Sequence, residues 1–241
     1  KQYSYYREAL MSFEEGKVEM KALDEIGEFQ RGKRFVKDDM ISEGVHCIHY
    51  GEMYTHYGTW ADKTKSFVSE ELVKNKSLRV AEKGDVVIVA AGETIEDIGV
   101  SALVIDELKD TVYSYHVIRL RFKKDFDVDF RKYLCNNNFV LSQFSKKAKG
   151  TTRQIIGRDV FKSINIVIPP KEEQTQIANY LDQKTIEINE LISQKEDLLK
   201  HYKEEKIAII NEAVTKGINP TVKLKNSGIE WLGEIPVHWH I

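Results

Sequence analysis

Hydrophobic and polar residues follow two different periodicities along this 241-residue chain. From residue 17 to about residue 167, short apolar runs are separated by turns rich in Gly, Asp and Asn, which is the pattern of strands. The clearest runs are VHCIHY, SLRVAEKGDVVIVAAG, SALVI, TVYSYHVIRLRF and INIVIP. A helix is predicted over DFRKYLCNNNFVLSQFSKKA, with Phe130, Leu134 and Val140 facing a core. The mixture of strands and short helices predicts an α+β domain.

After Pro169 and Pro170 the apolar residues follow the periodicity of a helix. KEEQ places acidic residues in a first turn, and apolar residues then recur at steps of three and four. A helix of about 40 residues is about 60 Å long at about 1.5 Å per residue, which is too long for the preceding domain to cover, so the pattern predicts a coiled coil. An amphipathic helix packed on its own domain is the alternative. The predicted interface stripe consists of Ile177, Leu181, Ile188, Leu191, Leu198, Tyr202 and Ile209.

The sequences at the two ends of the chain resemble parts of a helix and of a further domain. KQYSYYREALMSF looks like the end of a helix that closes near Gly16, and NSGIEWLGEIPVHWHI looks like the opening of a further domain. The sequence therefore predicts four segments: a helix tail at 1–16, a globular domain at 17–167, a long helix at 168–217 and a C-terminal segment at 218–241.

One segment, VHCIHYGEMYTHYGTW, concentrates histidines and aromatic residues. In a helix, His49, Glu52 and His56 would share a face and could bind a metal. Two glycines and several residues that favour strands instead predict a strand up to Tyr50 followed by a loop, and a strand would split the cluster between two faces. We therefore predict no metal site, and a metal-dependent hydrolase that uses His49, Glu52 and His56 stays as the alternative.

Composition narrows the class of protein. The formal net charge is −2, the mean hydropathy is −0.42, and no run approaches the roughly 20 apolar residues that cross a bilayer. No charged-then-apolar leader opens the sequence, which predicts a cytoplasmic protein without a membrane partner. Cys47 and Cys135 are two isolated cysteines, so we expect free thiols and no structural zinc.

Positive charge is concentrated between residues 143 and 165, where six basic residues face one acidic residue, a net charge of 6 − 1 = +5. The turn KKAKGTTRQIIG lies in this segment, and RGKR at residues 31–34 forms a second basic turn. Lys and Arg neutralise phosphates, and Thr hydroxyls bond to phosphate oxygens. A solvated basic loop is the alternative. The candidate phosphate contacts are Arg31, Lys33, Arg34, Lys146, Lys147, Lys149, Thr151, Thr152 and Arg153.

Aromatic and polar residues of HYGEMYTHYGTW suit a loop that reads the edges of DNA bases, because His, Tyr and Thr donate and accept hydrogen bonds and Tyr rings contact bases. The candidates in this loop are His49, Tyr50, Tyr54, Thr55 and Tyr57. Motifs of nucleotide hydrolysis, serine hydrolysis, zinc proteolysis and dinucleotide binding are absent from the sequence. The sequence thus favours binding over catalysis.

Three stretches, INIVIPPKEEQTQIANYLD, KGTTRQIIGRDVFKSINIVIPP and NSGIEWLGEIPVHW, resemble specificity subunits of type I restriction-modification systems. The resemblance implies a target-recognition domain at 17–167 that reads a short half-site in double-stranded DNA, followed by a conserved helix. KGDVVIVAAGETIEDIG is similar to a second strand-loop element that approaches DNA in this family, which adds Glu93 and Thr94 to the base-reading candidates.

The resemblance also implies a subunit with no catalytic site and no cofactor of its own. S-adenosylmethionine, ATP and Mg²⁺ are expected in its partners, the modification (methyltransferase) subunits and the motor-nuclease subunits. The family pattern has two recognition domains and this sequence has one, so a half-size subunit, a fragment and a rearranged product all stay open. The expected partner of the long helix is a second copy of this chain or the other half of a specificity subunit. A further alternative is that the chain is a coiled-coil interaction protein whose globular domain has no DNA-reading role.

Overall fold

The computed structural model describes residues 19–55, 60–61, 64–105, 108, 110–123, 126–150 and 153–240. Two compact units divide the chain, Lys1–Lys184 and Thr185–Ile241. The division falls inside one helix, so the first turns of that helix belong to the globular unit. The domain boundaries proposed above stay a prediction.

Sixteen strands lie in the described part of the chain. They are β1 Glu19–Ala22, β2 Gly27–Arg31, β3 Met40–Ile41, β4 Val45–Ile48, β5 Trp60–Ala61, β6 Phe67–Val68, β7 Val80–Ala81, β8 Val86–Val89, β9 Ala91–Gly92, β10 Ser101–Val104, β11 Thr111–Tyr113, β12 Val117–Phe122, β13 Gln154–Ile155, β14 Asn165–Ile168, β15 Leu224–Asn226 and β16 Glu234–Pro236. Five α-helices accompany them: α1 Tyr50–Thr55, α2 Glu70–Asn75, α3 Arg131–Leu134, α4 Asn138–Lys147 and α5 Lys171–Lys216.

Two five-stranded sheets form the frame of the first unit, in the orders β2-β12-β8-β10-β5 and β3-β6-β4-β11-β7. Both are mostly antiparallel, with β5 parallel to β10 and β4 parallel to β11. The central strand β8 reads VVIV and is fully buried, because Val87 and Val89 pack in one core cluster and Val86 and Ile88 pack in another. A strand that is covered on both faces has no polar alternation, which explains its continuous apolar run.

The second of these cores lies under the helices. Phe130, Leu134 and Val140 are buried there, as the sequence predicts. Helix α4 begins at an N-cap, where the side chain of Asn137 accepts a hydrogen bond from the backbone N–H of Val140 at 3.1 Å. β1 pairs antiparallel with β14, so the first and last strands of this unit close the fold next to the start of α5.

The first turns of α5 are fixed to the globular unit by apolar and polar contacts. Ala178 and Leu181 are buried in the core, and Ile177 packs against it. Asp182 accepts hydrogen bonds from Lys132 Nζ at 2.7 Å and from the Tyr133 hydroxyl at 2.5 Å. These contacts explain why the helix begins within the domain and not after it.

Three predicted strands differ from the structure. VHCIHY ends as a strand at Ile48, and the predicted loop after it contains helix α1 from Tyr50. SLRVAEKGDVVIVAAG separates into β7, β8 and β9, and TVYSYHVIRLRF separates into β11 and β12. Turns break each run, and in the last one the backbone N–H of Val117 donates to the carbonyl of Ser114 at 3.0 Å.

The second unit contains the remainder of α5 and the antiparallel pair β15–β16, in which Leu224 lies opposite Pro236. Ile235 is buried, whereas Trp231 is 83% exposed. Within the described residues, none of the helices is long and apolar enough to span a membrane.

Candidate nucleic-acid interface

Arg153 joins two segments that the sequence leaves 103 residues apart. Its Nη2 donates to the Tyr50 hydroxyl at 3.0 Å, and its Nη1 lies 3.2 Å from His116 Nε2. The Arg153 guanidinium carbon also lies 5.1 Å from the centre of the Tyr50 ring. The basic turn that contains Arg153 and the aromatic segment that begins at His49 therefore form one surface.

A row of rings extends across this surface. The ring centres of His49 and Tyr50 are 4.4 Å apart, those of Tyr50 and His116 are 5.2 Å apart, and those of His116 and Tyr115 are 5.7 Å apart. Tyr115 is 50% exposed although its neighbours in the row are partly buried. We call the set His49, Tyr50, Tyr115, His116 and Arg153 the reading surface.

The surroundings of the two histidines of the reading surface favour the neutral form of each imidazole. Burial lowers the pKa of His49 and of His116 below the ordinary value of 6.5, and the positive charge of Arg153 lowers both further. Because a guanidinium only donates, His116 Nε2 accepts from Arg153 and its Nδ1 carries the proton. That Nδ1 is buried and has no hydrogen-bond partner among the residues that the structure describes.

The acidic loop after β9 lies beside the reading surface, because β9 pairs with β13, the strand that follows Arg153. The backbone N–H groups of Glu93 and Thr94 donate to Asp97 Oδ2 at 3.0 and 2.9 Å, so one carboxylate fixes the loop. A Cβ at Gly92 would lie 2.4 Å from the Cβ of Asp97, so this close approach requires glycine. The side chains of Glu93 and Thr94 are exposed, as base-reading candidates require.

A family described as the type I restriction modification DNA specificity domain matches residues 15–201. This chain belongs to that family. The match covers most of the globular unit and more than half of α5.

Curated relatives carry the same assignment. The chain is 26% identical over 196 residues to the specificity subunit of the type I restriction enzyme EcoR124I/EcoR124II of Escherichia coli, an alignment that covers 76% of this chain and 44% of the relative. It is 26% identical over 165 residues to the MjaVIII specificity subunit of Methanocaldococcus jannaschii, with coverage of 68% and 38%. The chain thus spans less than half of the length of these relatives.

Solved structures share the fold. One similar chain comes from a structure of complex assembly and conformational transition of the type I R-M system, and its TM-score is 0.64 at 18% sequence identity. The alignment covers 88% of this chain and 52% of that one. The HsdS subunit from Thermoanaerobacter tengcongensis has a TM-score of 0.59 at 16% identity, with coverage of 90% of this chain and 52% of that one. The α+β fold with a long helix, predicted from the sequence, is therefore confirmed.

Arg31, a predicted phosphate contact, also makes contacts within the domain, and its phosphate role stays a prediction. Its Nη2 donates to the carbonyl of Ile156 at 2.8 Å, and its Nη1 donates to the carbonyl of Tyr115 at 3.2 Å. Burial lowers the pKa of Arg31. Its guanidinium carbon lies 5.1 Å from the Tyr115 ring centre, so Arg31 holds the turn that presents Tyr115.

Three of the other basic candidates are more exposed than Arg31. Lys146, Lys149 and Arg34 are exposed, and Lys147 is partly buried. Lys33 Nζ donates to the carbonyl of Lys76 at 3.2 Å. Gly150 has a φ of +136°, and a Cβ there would lie 1.9 Å from the Arg153 carbonyl oxygen, so this position requires glycine.

Several candidates fall outside what the structure describes. The backbone of Tyr54 and Thr55 belongs to α1, but their side chains are not among the described parts. Tyr57, Thr151 and Thr152 lie outside the described residues altogether, as does His56. Their proposed roles stay predictions.

The metal-dependent hydrolase finds no support. Among the described residues, no group of three or more His, Cys, Asp or Glu could hold a metal ion. Although the segment is helical from Tyr50, Glu52 accepts a hydrogen bond from the Ser66 hydroxyl at 2.5 Å, and the His49 ring packs on Tyr50. Burial also raises the pKa of Cys47 to about 12, which keeps it a thiol.

Sequence reasoning missed Tyr115 and His116. They were assigned to the interior of a single strand, TVYSYHVIRLRF, whereas they form the turn between β11 and β12. The polar break Ser-Tyr-His inside an otherwise apolar run is the signal that could have identified this turn.

The predicted helix interface divides into two parts. Ile177 and Leu181 lie against the core of the first unit, which corrects their assignment to an interface with another helix. Leu191, Leu198, Tyr202 and Ile209 are 51%, 39%, 57% and 59% exposed, and Ile188 is partly buried. Only the later part of the stripe is available to a second helix.

Proposed function

We propose that this chain is a DNA-reading module of a type I restriction-modification specificity subunit, and that the reading surface recognises a short half-site in double-stranded DNA. The observation that carries the proposal is the convergence at Arg153, which joins Tyr50, His116 and the loop with Glu93 and Thr94. Residues from four distant segments meet on one face of a domain whose family is named for DNA specificity.

The chemistry of the reading surface suits base edges. Neutral histidines and tyrosine hydroxyls both donate and accept hydrogen bonds, and a guanidinium donates to the acceptors of guanine. The exposed ring of Tyr115 offers apolar contact with a thymine methyl group. Such a mixture reads sequence better than a plain basic patch would, because phosphate contacts carry no sequence information.

Phosphate contacts are assigned to basic residues around this surface. Lys146, Lys147 and Lys149 lie at the end of α4 and in the turn before Arg153, and Arg34 follows β2. Their charges neutralise backbone phosphates and contribute affinity that is independent of sequence.

The proposed partners follow the family. Modification subunits bind S-adenosylmethionine and methylate DNA, motor-nuclease subunits use ATP and Mg²⁺, and this chain supplies target choice without a catalytic site. The exposed part of the α5 stripe binds a second copy of the chain or another specificity half in an antiparallel coiled coil. Two copies would present two identical readers and favour an interrupted palindrome.

The direct test is to sequence methylated adenines in cells that carry this gene with its modification partner, and in matched cells that lack only this gene. We expect one short interrupted motif whose methylation depends on the gene. Equal methylation patterns in the two strains would refute the proposal.

A further inference from the structure

A pocket of about 590 Å³ opens beside β2. Arg31, which lines it, also lies 5.1 Å from the Tyr115 ring centre, so the pocket adjoins the reading surface. β2 is an edge strand, paired with β12 on one side only. Arg79 and Arg119 reach the pocket from two different sheets, since Arg79 precedes β7 and Arg119 belongs to β12. The volume is in the range of sites that hold small ligands.

Positive charge dominates the lining of this pocket. Five basic residues line it: Arg31, Arg79, Arg119, Arg158 and Lys162. Two acidic residues, Asp24 and Glu28, also line it, which gives a net charge of 5 − 2 = +3. The Arg31 guanidinium donates to two backbone carbonyls and adds its positive charge to the lining.

Arg119 is a buried cation with incomplete partners. The residue is 6% exposed, and its Nε is buried without a hydrogen-bond partner among the described residues. Its ion pair is with Asp85 Oδ2, 3.7 Å from Nη1, which is beyond hydrogen-bonding distance. Both oxygens of Asp85 already accept from Arg121, at 2.9 and 2.8 Å. A buried cation with unpaired donors favours an added anion.

Further donors surround the same pocket. Gln30 lies directly opposite Arg119 in the β2–β12 register, and its Oε1 accepts a hydrogen bond from the Tyr113 hydroxyl at 3.1 Å. The amide nitrogen of Gln30 is then a donor. Arg79 uses Nη1 for the carbonyl of Arg31, and the remaining nitrogens of its guanidinium are further donors.

We propose that this pocket binds a phosphate group, held by Arg79 and Arg119 with Gln30. Planar guanidinium groups match the geometry of phosphate oxygens, and a low-dielectric site strengthens each bond. Two sources supply this chemistry: a phosphate of the DNA backbone next to the half-site, or a free phosphorylated metabolite. The DNA source rests on the proposed function, and the free source does not.

The test uses inorganic pyrophosphate and the full chain, at an ionic strength held constant with sodium chloride. Gln30→Glu places a carboxylate in the pocket without a change of shape, and Glu28→Gln removes a carboxylate from the same strand. Calorimetric titration should show that Gln30→Glu weakens pyrophosphate binding by about tenfold or more and that Glu28→Gln strengthens it by about twofold to threefold. Gln183→Glu on α5, which adds the same charge elsewhere, should leave the affinity unchanged.

A parallel titration with duplex DNA separates the sources. If the pocket takes a DNA phosphate, Gln30→Glu lowers the affinity for the half-site duplex and for a scrambled duplex by the same factor, whereas Gln183→Glu does not. If it takes a free anion, Gln30→Glu abolishes pyrophosphate binding and leaves DNA affinity unchanged. Equal pyrophosphate affinity in Gln30→Glu and the unsubstituted chain would overturn the proposal. Absence of any pyrophosphate binding to the unsubstituted chain, together with unchanged DNA affinity in Gln30→Glu, would overturn it as well. Neither result depends on whether the two duplexes are discriminated, so the proposed function is tested separately.

Discussion

The first and later turns of α5 carry the same apolar periodicity, but they meet different surroundings. Leu181 is 1% exposed and lies in the core of the first unit, whereas Leu191 is 51% exposed. Polar contacts follow the same division, since Asp182 is bonded to Lys132 and Tyr133. Periodicity therefore shows that a helix face is apolar, but it does not show what covers that face.

A charged residue placed on each part of the stripe tests this difference most strongly. Leu181→Asp buries a carboxylate in an apolar core, so we expect a loss of more than about 4 kcal/mol in the free energy of unfolding. Leu191→Asp in dilute solution should change it by less than about 0.5 kcal/mol. Urea denaturation followed by circular dichroism measures both, and equal losses would contradict the division.

Self-association tests the exposed part of the stripe. Because each aliphatic side chain that becomes buried contributes roughly 1.5 to 3 kcal/mol, the double variant Leu191→Asp/Leu198→Asp should dissociate the assembly at tens of micromolar. Light scattering should then report half the mass, with the globular unit still folded. An unsubstituted chain that is strictly monomeric at this concentration would show that no second copy covers the stripe.

The polar attachment of the helix is expected to contribute less. Asp182→Asn removes the carboxylate that Lys132 and Tyr133 contact, and Lys132 is 6% exposed. We expect a loss of about 1 to 3 kcal/mol in unfolding free energy. Glu196→Gln, on an exposed face of the same helix, is the matched control and should be near neutral. A neutral result for Asp182→Asn would show that apolar packing alone fixes the helix.

The smallest effect concerns pH. The pKa values of His49 and His116 are lowered in the folded chain, so the unfolded chain binds more protons as pH falls below about 6.5. This contribution to stability should therefore be complete above this pH and decrease as the pH falls below it. His116→Gln should make that decrease shallower in thermal unfolding scans. An identical pH dependence in the variant would contradict the assignment of a neutral His116.

The sequence was sufficient for features that depend on local pattern. The long helix, the buried positions Phe130, Leu134 and Val140, and the apolar strands all follow from periodicity and β propensity. The role of Arg31 could not be predicted, because its acceptors are carbonyls 84 and 125 residues away along the chain.

Pairing between distant strands limits prediction of the candidate site in the same way. The β9–β13 pair brings the acidic loop beside Arg153. The pattern of residues within either strand does not predict that these two strands pair. The helix that begins at Tyr50 was missed because Gly51 and the β-favouring residues around it oppose a helix by local propensity, and the tertiary context prevails.

The most direct test of the reading surface is the methylation motif itself, measured by sequencing in cells that carry the modification partner with each variant of this chain. Tyr115→Ala and His116→Ala should relax the preference at one or two positions of the motif, the first through loss of a base contact at about 1 to 3 kcal/mol and the second because Arg153 loses its acceptor. Lys146→Gln and Lys149→Gln should lower methylation at all sites and leave the motif unchanged. A motif that is identical in every variant, or one that changes only in the lysine variants, would contradict the assignment of sequence reading to this surface.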